Sequence, residues 1–193
     1  MNGVGDAVAW ADMWAPCDEA TYTRALAYVP RGATVLDIGA GDLRLARRVA
    51  QRARRVYAIE QRAELLAGPL YPPNLIAICA DARALPFPTA DTAILLMRHC
   101  RDFALYRRKM EAAGCARLIT NARWGMDVEC IDLTAAPRAY GALRLGWYAC
   151  RCGATGFRDG PPEQLTAQLA DTVFEVDNCP ECDDYGRISH RLA

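Results

Sequence analysis

A chain of 193 residues is long enough for one domain with a full hydrophobic core, and a single domain over 1–193 is expected, with an N-terminal helical segment (1–30), a core (31–145) and a terminal part (146–193). Its 23 basic residues balance its 23 acidic ones, which excludes a global electrostatic signature for nucleic acid or an anionic membrane. No apolar run approaches the roughly 20 residues that span a bilayer, and Asp6 and Asp12, with no basic stretch ahead of an apolar core, exclude a secretory signal; a cytoplasmic protein without a membrane partner is expected.

Trp10, Met13, Trp14, Tyr22, Leu26 and Tyr28 lie among acidic residues in the first segment, and Glu19 to Val29 has helical spacing. Val35, Leu36 and Ile38 then read as a buried strand that runs through Gly39 and Gly41 into a helix, Leu43 to Arg54, with Leu45, Ala46 and Val49 as its apolar stripe. Such a strand, glycine turn and helix build a nucleotide-type cofactor site. RVYAIE follows as a second strand ending in Glu60, where a carboxylate grips ribose hydroxyls in units of this kind. A dinucleotide fingerprint needs a third small residue at position 44, and the chain has Arg44. Asn74 to Phe87 contains a third strand ending at Asp81 and Ala82, and Thr89 to Cys100, opened by Asp91, a fourth.

Asp37, Gly39 and Gly41 resemble motif I of the class I S-adenosylmethionine (SAM) dependent methyltransferases, with Leu43 in place of the third glycine. The Asp81 segment resembles the motif whose acidic residue bonds the adenine amino group, and the fourth strand resembles the one whose carboxyl end faces the transferred methyl. The resemblance covers residues 35 to 100, about half the chain. It implies a Rossmann-like α/β fold, a mainly parallel sheet flanked by helices, with SAM as cofactor. It further implies cofactor contacts from Asp37, Gly39, Ala40, Gly41, Glu60, Gln61, Asp81, Ala82 and Met97. From Val35 to Glu60 the chain is most similar to rRNA adenine dimethyltransferases and protein isoaspartate methyltransferases. The adenine enzymes continue into an Asn or Asp, Pro-Pro or Leu-Pro, aromatic motif; this chain has Met97, Arg98, His99 and Cys100, so neither substrate carries over. The acceptor is left as RNA, protein or peptide, or small molecule.

Beyond these segments, Asp102 to Ala113 reads as a helix with Phe103, Tyr106 and Met110 inward, stopped at Gly114. Cys115 to Asn121 reads as a fifth strand, with Arg123 and Trp124 after it at the cleft, and Asp127 to Leu133 as a further strand. Pro137 to Leu143 is ambiguous. The terminal part reads as a strand (Trp147 to Cys152), a loop through Gly160, a helix over Glu163 to Ala170 and a strand (Thr172 to Val176), the end of the same sheet.

Nine cysteines in a chain expected in a reducing compartment need an explanation. Cys79, Cys100, Cys115 and Cys130 fit as small buried hydrophobes. Cys150 and Cys152 in CRCG, with Cys179 and Cys182 in NCPEC, are spaced as two turns presenting four thiolates to a structural zinc, which would clip a sheet edge. A redox C-x-x-C, an iron-sulfur cluster and four unligated thiols are the competing readings. Methyl transfer from a sulfonium needs alignment and, for some acceptors, a base. His99 is the candidate for that role, against a histidine that is merely hydrogen-bonded at a strand end. A catalytically silent methyltransferase fold acting as a binding or scaffold subunit is the alternative function.

Overall fold

The computed structural model describes residues 15–68, 70–125 and 127–182; Trp10, Met13 and Trp14 of the expected N-terminal segment lie outside them. Asp18 starts helix α1 (Glu19–Tyr28) by accepting the Thr21 amide at 2.7 Å, the usual way of satisfying an orphan N–H in a first turn. Strand β1 (Thr34–Ile38) is buried at all five positions because helices cover both of its faces. On one face Tyr22, Ala25 and Val29 of α1 pack with Leu45, Ala46 and Val49 of α2 (Arg44–Ala50) over Val35. On the other, Phe103, Tyr106 and Met110 of α4 (Phe103–Ala112) cover Leu36 and Ile38. A short α3 (Ala63–Leu66) follows the second strand.

The first sheet joins β1 to β2 (Arg55–Glu60), β3 (Leu75–Cys79), β4 (Thr92–Leu95), β5 (Arg117–Thr120) and β6 (Glu129–Asp132) in the order β3-β2-β1-β4-β5-β6. All pairs are parallel except β5 with β6. This is the Rossmann-like α/β arrangement, with the strand order reversing beside β1 so that a crevice opens at the carboxyl ends. Two elements stop earlier than their patterns suggest. The second helix ends at Ala50 because Arg54 N–H is given to Ala33 O and Arg52 O accepts Gly32 N–H, both at 2.9 Å, tying the chain to the entry of β1. The third strand ends at Cys79 because Asp81 turns the chain, its carbonyl accepting Ala84 and Leu85 amides.

The cysteine-bearing strands do not extend this sheet, which corrects the expectation of one continuous sheet. Strands β7 (Arg138–Ala139), β8 (Gly146–Cys150), β9 (Thr155–Arg158) and β10 (Val173–Asp177) form a second sheet in the order β7-β10-β8-β9. Its β9 lies within the expected loop and pairs antiparallel with β8. The expected helix over 163–170 is likewise divided into a 3-10 turn at Pro162–Gln164 and α5 (Ala167–Ala170), because the Thr166 hydroxyl accepts Leu169 N–H and caps a new start.

Arg123 joins the two sheets. Its Nε and Nη2 donate to Glu129 of β6 at 2.9 and 2.6 Å, and its Nη1 and Nη2 donate to Glu175 of β10 at 3.0 and 2.5 Å. Arg107 of α4 reaches Glu111 at 3.1 Å and Glu175 at 3.7 Å. Edge-to-face contact of Trp124 with Trp147, centroids 6.1 Å apart, extends the joint. Arg123 therefore does not line the cleft as its position after β5 suggested; its side chain is 1 % exposed between the sheets.

Candidate cofactor and metal sites

Three residues with left-handed backbone follow one another after β1: Gly39 (φ 69°), Gly41 (φ 55°) and Leu43 (φ 64°). The amides of Gly39 and Ala40 both donate to Ile59 O, at 2.9 and 3.0 Å, so the turn is sewn to β2. A Cβ on Gly39 would lie 3.1 Å from Met97 Cε, which places Met97 against the glycine turn. Leu43 holds a left-handed conformation that favours glycine, at a cost of about 1–2 kcal/mol for an L-residue. Its side chain is fully buried in the α1/α2 core, which offsets that cost by about 1.5–3 kcal/mol.

Glu60 closes the turn from the next strand: Oε2 accepts Gly41 N–H at 2.9 Å and Oε1 accepts Arg62 N–H at 3.0 Å. Asp37, one strand over, is 3 % exposed, and its Oδ2 has no hydrogen-bond partner. Burial, reinforced by the Glu60 charge, pushes the Asp37 carboxyl up to about 7. Folding therefore favours its protonated form, and this group opposes stability increasingly as pH rises from about 4 through 7. Asp37, Gly39, Ala40 and Gly41 line a cavity of about 40 Å³, together with residues that include Cys17 and Tyr22. Sequence periodicity placed Tyr22 on a helix but gave no sign that residues 15–17 reach the glycine turn.

The remaining expected cofactor residues are dispersed around this centre. The Asp81 carboxylate accepts from Arg83 N and Nε and ion-pairs with Arg83 Nη2 at 2.8 Å, and these bonds hold its pKa below the usual range. Ala82 is buried in the α4-side core, and Gln61 is exposed. Lys109, the only lysine, pins the Asp81 turn by donating to the carbonyls of Ala82 and Arg83, a role without a local sequence signal. His99 has left-handed backbone (φ 56°) and is exposed; its Cε1 lies 2.9 Å from where a Gly125 Cβ would stand, so Gly125 leaves room for the ring. Burial pushes the neighbouring Cys100 thiol up to about 12, which leaves it protonated and unsuited to nucleophilic attack at neutral pH.

The four terminal cysteines meet at the ends of β8 and β10. Cys150 Sγ lies 3.6 Å from Cys182 Sγ, Cys152 Sγ 3.6 Å from Cys179 Sγ, and Cys179 Sγ 3.8 Å from Cys182 Sγ; all four sulfurs fall within 4.8 Å of one another. A disulfide would need about 2.05 Å. A tetrahedron of thiolates 2.3 Å from zinc has edges of about 3.8 Å, so the donor set fits a four-coordinate ion. Two turns supply it, closed by Gly153 N–H to Cys150 O at 2.9 Å and Cys182 N–H to Cys179 O at 3.0 Å. The quartet ties together the carboxyl ends of parallel neighbours, not the beginning of one strand to the end of the next, since Val176 pairs with Cys150. Gly153 also packs on α4: a Cβ there would come 3.1 Å from Phe103 Cβ.

No protein-family profile and no curated protein matches the chain. Among solved structures it is similar to precorrin 8W decarboxylase of Methanobacterium thermoautotrophicum, with 20% identity over 57% of this chain and 66% of that one (TM-score 0.47). It is also similar to a dimethyladenosine transferase of Plasmodium falciparum (16%, over 53% and 41%, TM-score 0.45). A third likeness is to precorrin-6y C5,15-methyltransferase of Geobacter metallireducens (12%, over 54% and 62%, TM-score 0.46). The chain thus spans less than two thirds of each relative, and the likeness is one of fold. Among the described residues no helix is long and apolar enough to cross a membrane.

Leu43→Gly tests the balance in the turn. Relief of the backbone is outweighed by loss of a buried leucine, which typically costs about 2–5 kcal/mol on truncation to Ala; urea denaturation should show a net loss of about 1–3 kcal/mol. Unchanged or increased stability contradicts this account of Leu43. The six-stranded sheet, its crevice beside β1 and the glycine turn together give the chain a Rossmann-like α/β fold.

Proposed function

We propose that the protein is a SAM-dependent methyltransferase with a structural zinc site. The observation that carries this reading is the pairing of a glycine turn sewn to β2 with two acidic groups, Glu60 and Asp37, whose polar atoms converge on the turn. SAM bound there would supply an electrophilic methyl on a sulfonium. Glu60 is placed to exchange the Gly41 amide for ribose hydroxyls, and Asp37, with one buried oxygen unpartnered, to face the positively charged methionine part. Asp81 and Ala82 would flank the adenine, the Asp81 carboxylate releasing Arg83, and Met97 and Gln61 would border the cofactor. His99 would orient the acceptor or take its proton. Small-molecule sites occupy about 300–1,000 Å³, whereas the cavity at the turn is about 40 Å³, so cofactor entry would displace part of its lining, which includes residues 15–17.

A second reading, a silent methyltransferase fold serving as a binding subunit, is favoured by Leu43 in place of glycine and by the lack of a decisive catalytic motif after β4, where Arg98, His99, Arg101 and Asp102 stand. Calorimetry with SAM separates cofactor binding from its absence, and methyl incorporation into cell extract separates enzyme from silent subunit. We expect SAM to bind and Glu60→Ala to weaken it by about 1–3 kcal/mol. Because a cation favours ionised Asp37, affinity should fall as pH drops below about 7, the value to which burial raises Asp37. No SAM binding, or equal binding by Glu60→Ala, overturns the assignment.

For the metal, one zinc per chain should copurify, held by Cys150, Cys152, Cys179 and Cys182, and a Cys179→Ser/Cys182→Ser variant should lose it. Chelation should unfold the second sheet before it affects the glycine turn, since metal binding and folding are coupled there. Elemental analysis showing no metal in the wild type, or equal metal in both proteins, contradicts the site.

A further inference from the structure

We propose that the cleft between α1 and the end of α2 binds a phosphate-bearing anion, beside the amino-terminal end of β1 and so at the opposite end of that strand from the glycine turn. The cleft has a volume of about 530 Å³ and is lined by Leu26, Arg31, Arg48, Gln51 and Arg52. Three arginines and one glutamine line it, and no acidic residue does.

The three arginines are held differently. Arg48 forks onto Glu19 at 2.6 and 2.9 Å and lies over the Tyr22 ring, so its charge is largely met. Arg52 is fixed by donating from Nη1 to Leu26 O at 2.9 Å, while its Nε is buried with no partner. Arg31 is exposed just before β1 and forms no ion pair among the described residues. Gly32 N–H bonds Arg52 O at 2.9 Å, so the backbones carrying Arg31 and Arg52 are locked side by side. Two uncompensated guanidiniums on a rigid base are suited to phosphate, whose oxygens accept paired N–H bonds, and the volume leaves room for a small organic body against Leu26.

The test is calorimetry of the full chain at low ionic strength with inorganic phosphate, ribose 5-phosphate and oligothymidylate as separate probes. Saturable binding of at least one is expected. Arg31→Gln, which breaks no ion pair among the described residues, should weaken it several-fold, and Arg31→Gln/Arg52→Gln by about tenfold or more, the loss of charge-assisted hydrogen bonds. Arg144→Gln, an exposed arginine elsewhere, should leave it unchanged. Binding of the small phosphates identifies a monophosphate ligand; binding of oligothymidylate alone, with steep salt dependence, identifies a polynucleotide backbone. Either result upholds the site. Absence of saturable binding by all three probes overturns it, as does an equal loss in Arg144→Gln or a loss confined to the double variant, which would reflect the Arg52 bond to Leu26.

Discussion

The hydrogen bond from Gly41 N–H to the Glu60 carboxylate is the contact around which the first sheet is organised. β1 is covered on both faces, so the chain leaving it has no solvent into which to turn gradually. It reverses through three left-handed residues within five positions, and the amides that this reversal exposes need acceptors. Parallel pairing of Ile38 with Ile59 sets the next residue of β2, Glu60, directly beside the turn. Ile59 O takes the first two amides and Glu60 the third. The carboxylate that stabilises the turn is thereby the group we propose to hold the cofactor.

The same economy of position governs the junction of the two sheets. Arg123 leaves the end of β5 and is sequestered by Glu129 and Glu175, one from each sheet. A buried guanidinium with two carboxylates specifies orientation more than it adds stability, since desolvation offsets much of the attraction. Gly153 then sets the cysteine turn against Phe103 at the start of α4, so the four-sulfur cluster rests on the helix that follows the His99 segment. A zinc ion there would fix the second sheet against α4.

Much of this was legible where local pattern decides structure. β2 matches RVYAIE residue for residue, β1 and β10 fall within one residue of their apolar runs, and α4 begins and ends as Phe103, Tyr106, Met110 and Gly114 indicate. The spacing of the four cysteines likewise foretold their convergence. What was not legible depends on distant partners. Thr155 to Arg158 has a weak strand pattern, and Gly156 is there because the Tyr148 hydroxyl lies 2.8 Å from where its Cβ would be. Whether the last strands extend the first sheet or form a second one is decided by Arg123, whose two partners lie 6 and 52 positions away. The left-handed Leu43 is invisible in a pattern that scores it as a missing glycine.

The central claim is that the turn after β1, bracketed by Glu60 and Asp37, is the cofactor site. Backbone hydrogen exchange read residue by residue, with and without saturating SAM, addresses it directly. Protection is predicted at Ala40 through Asp42 and at Gln61 and Arg62, with the second sheet unchanged. Protection centred elsewhere, or none at the turn while SAM is bound, would contradict it.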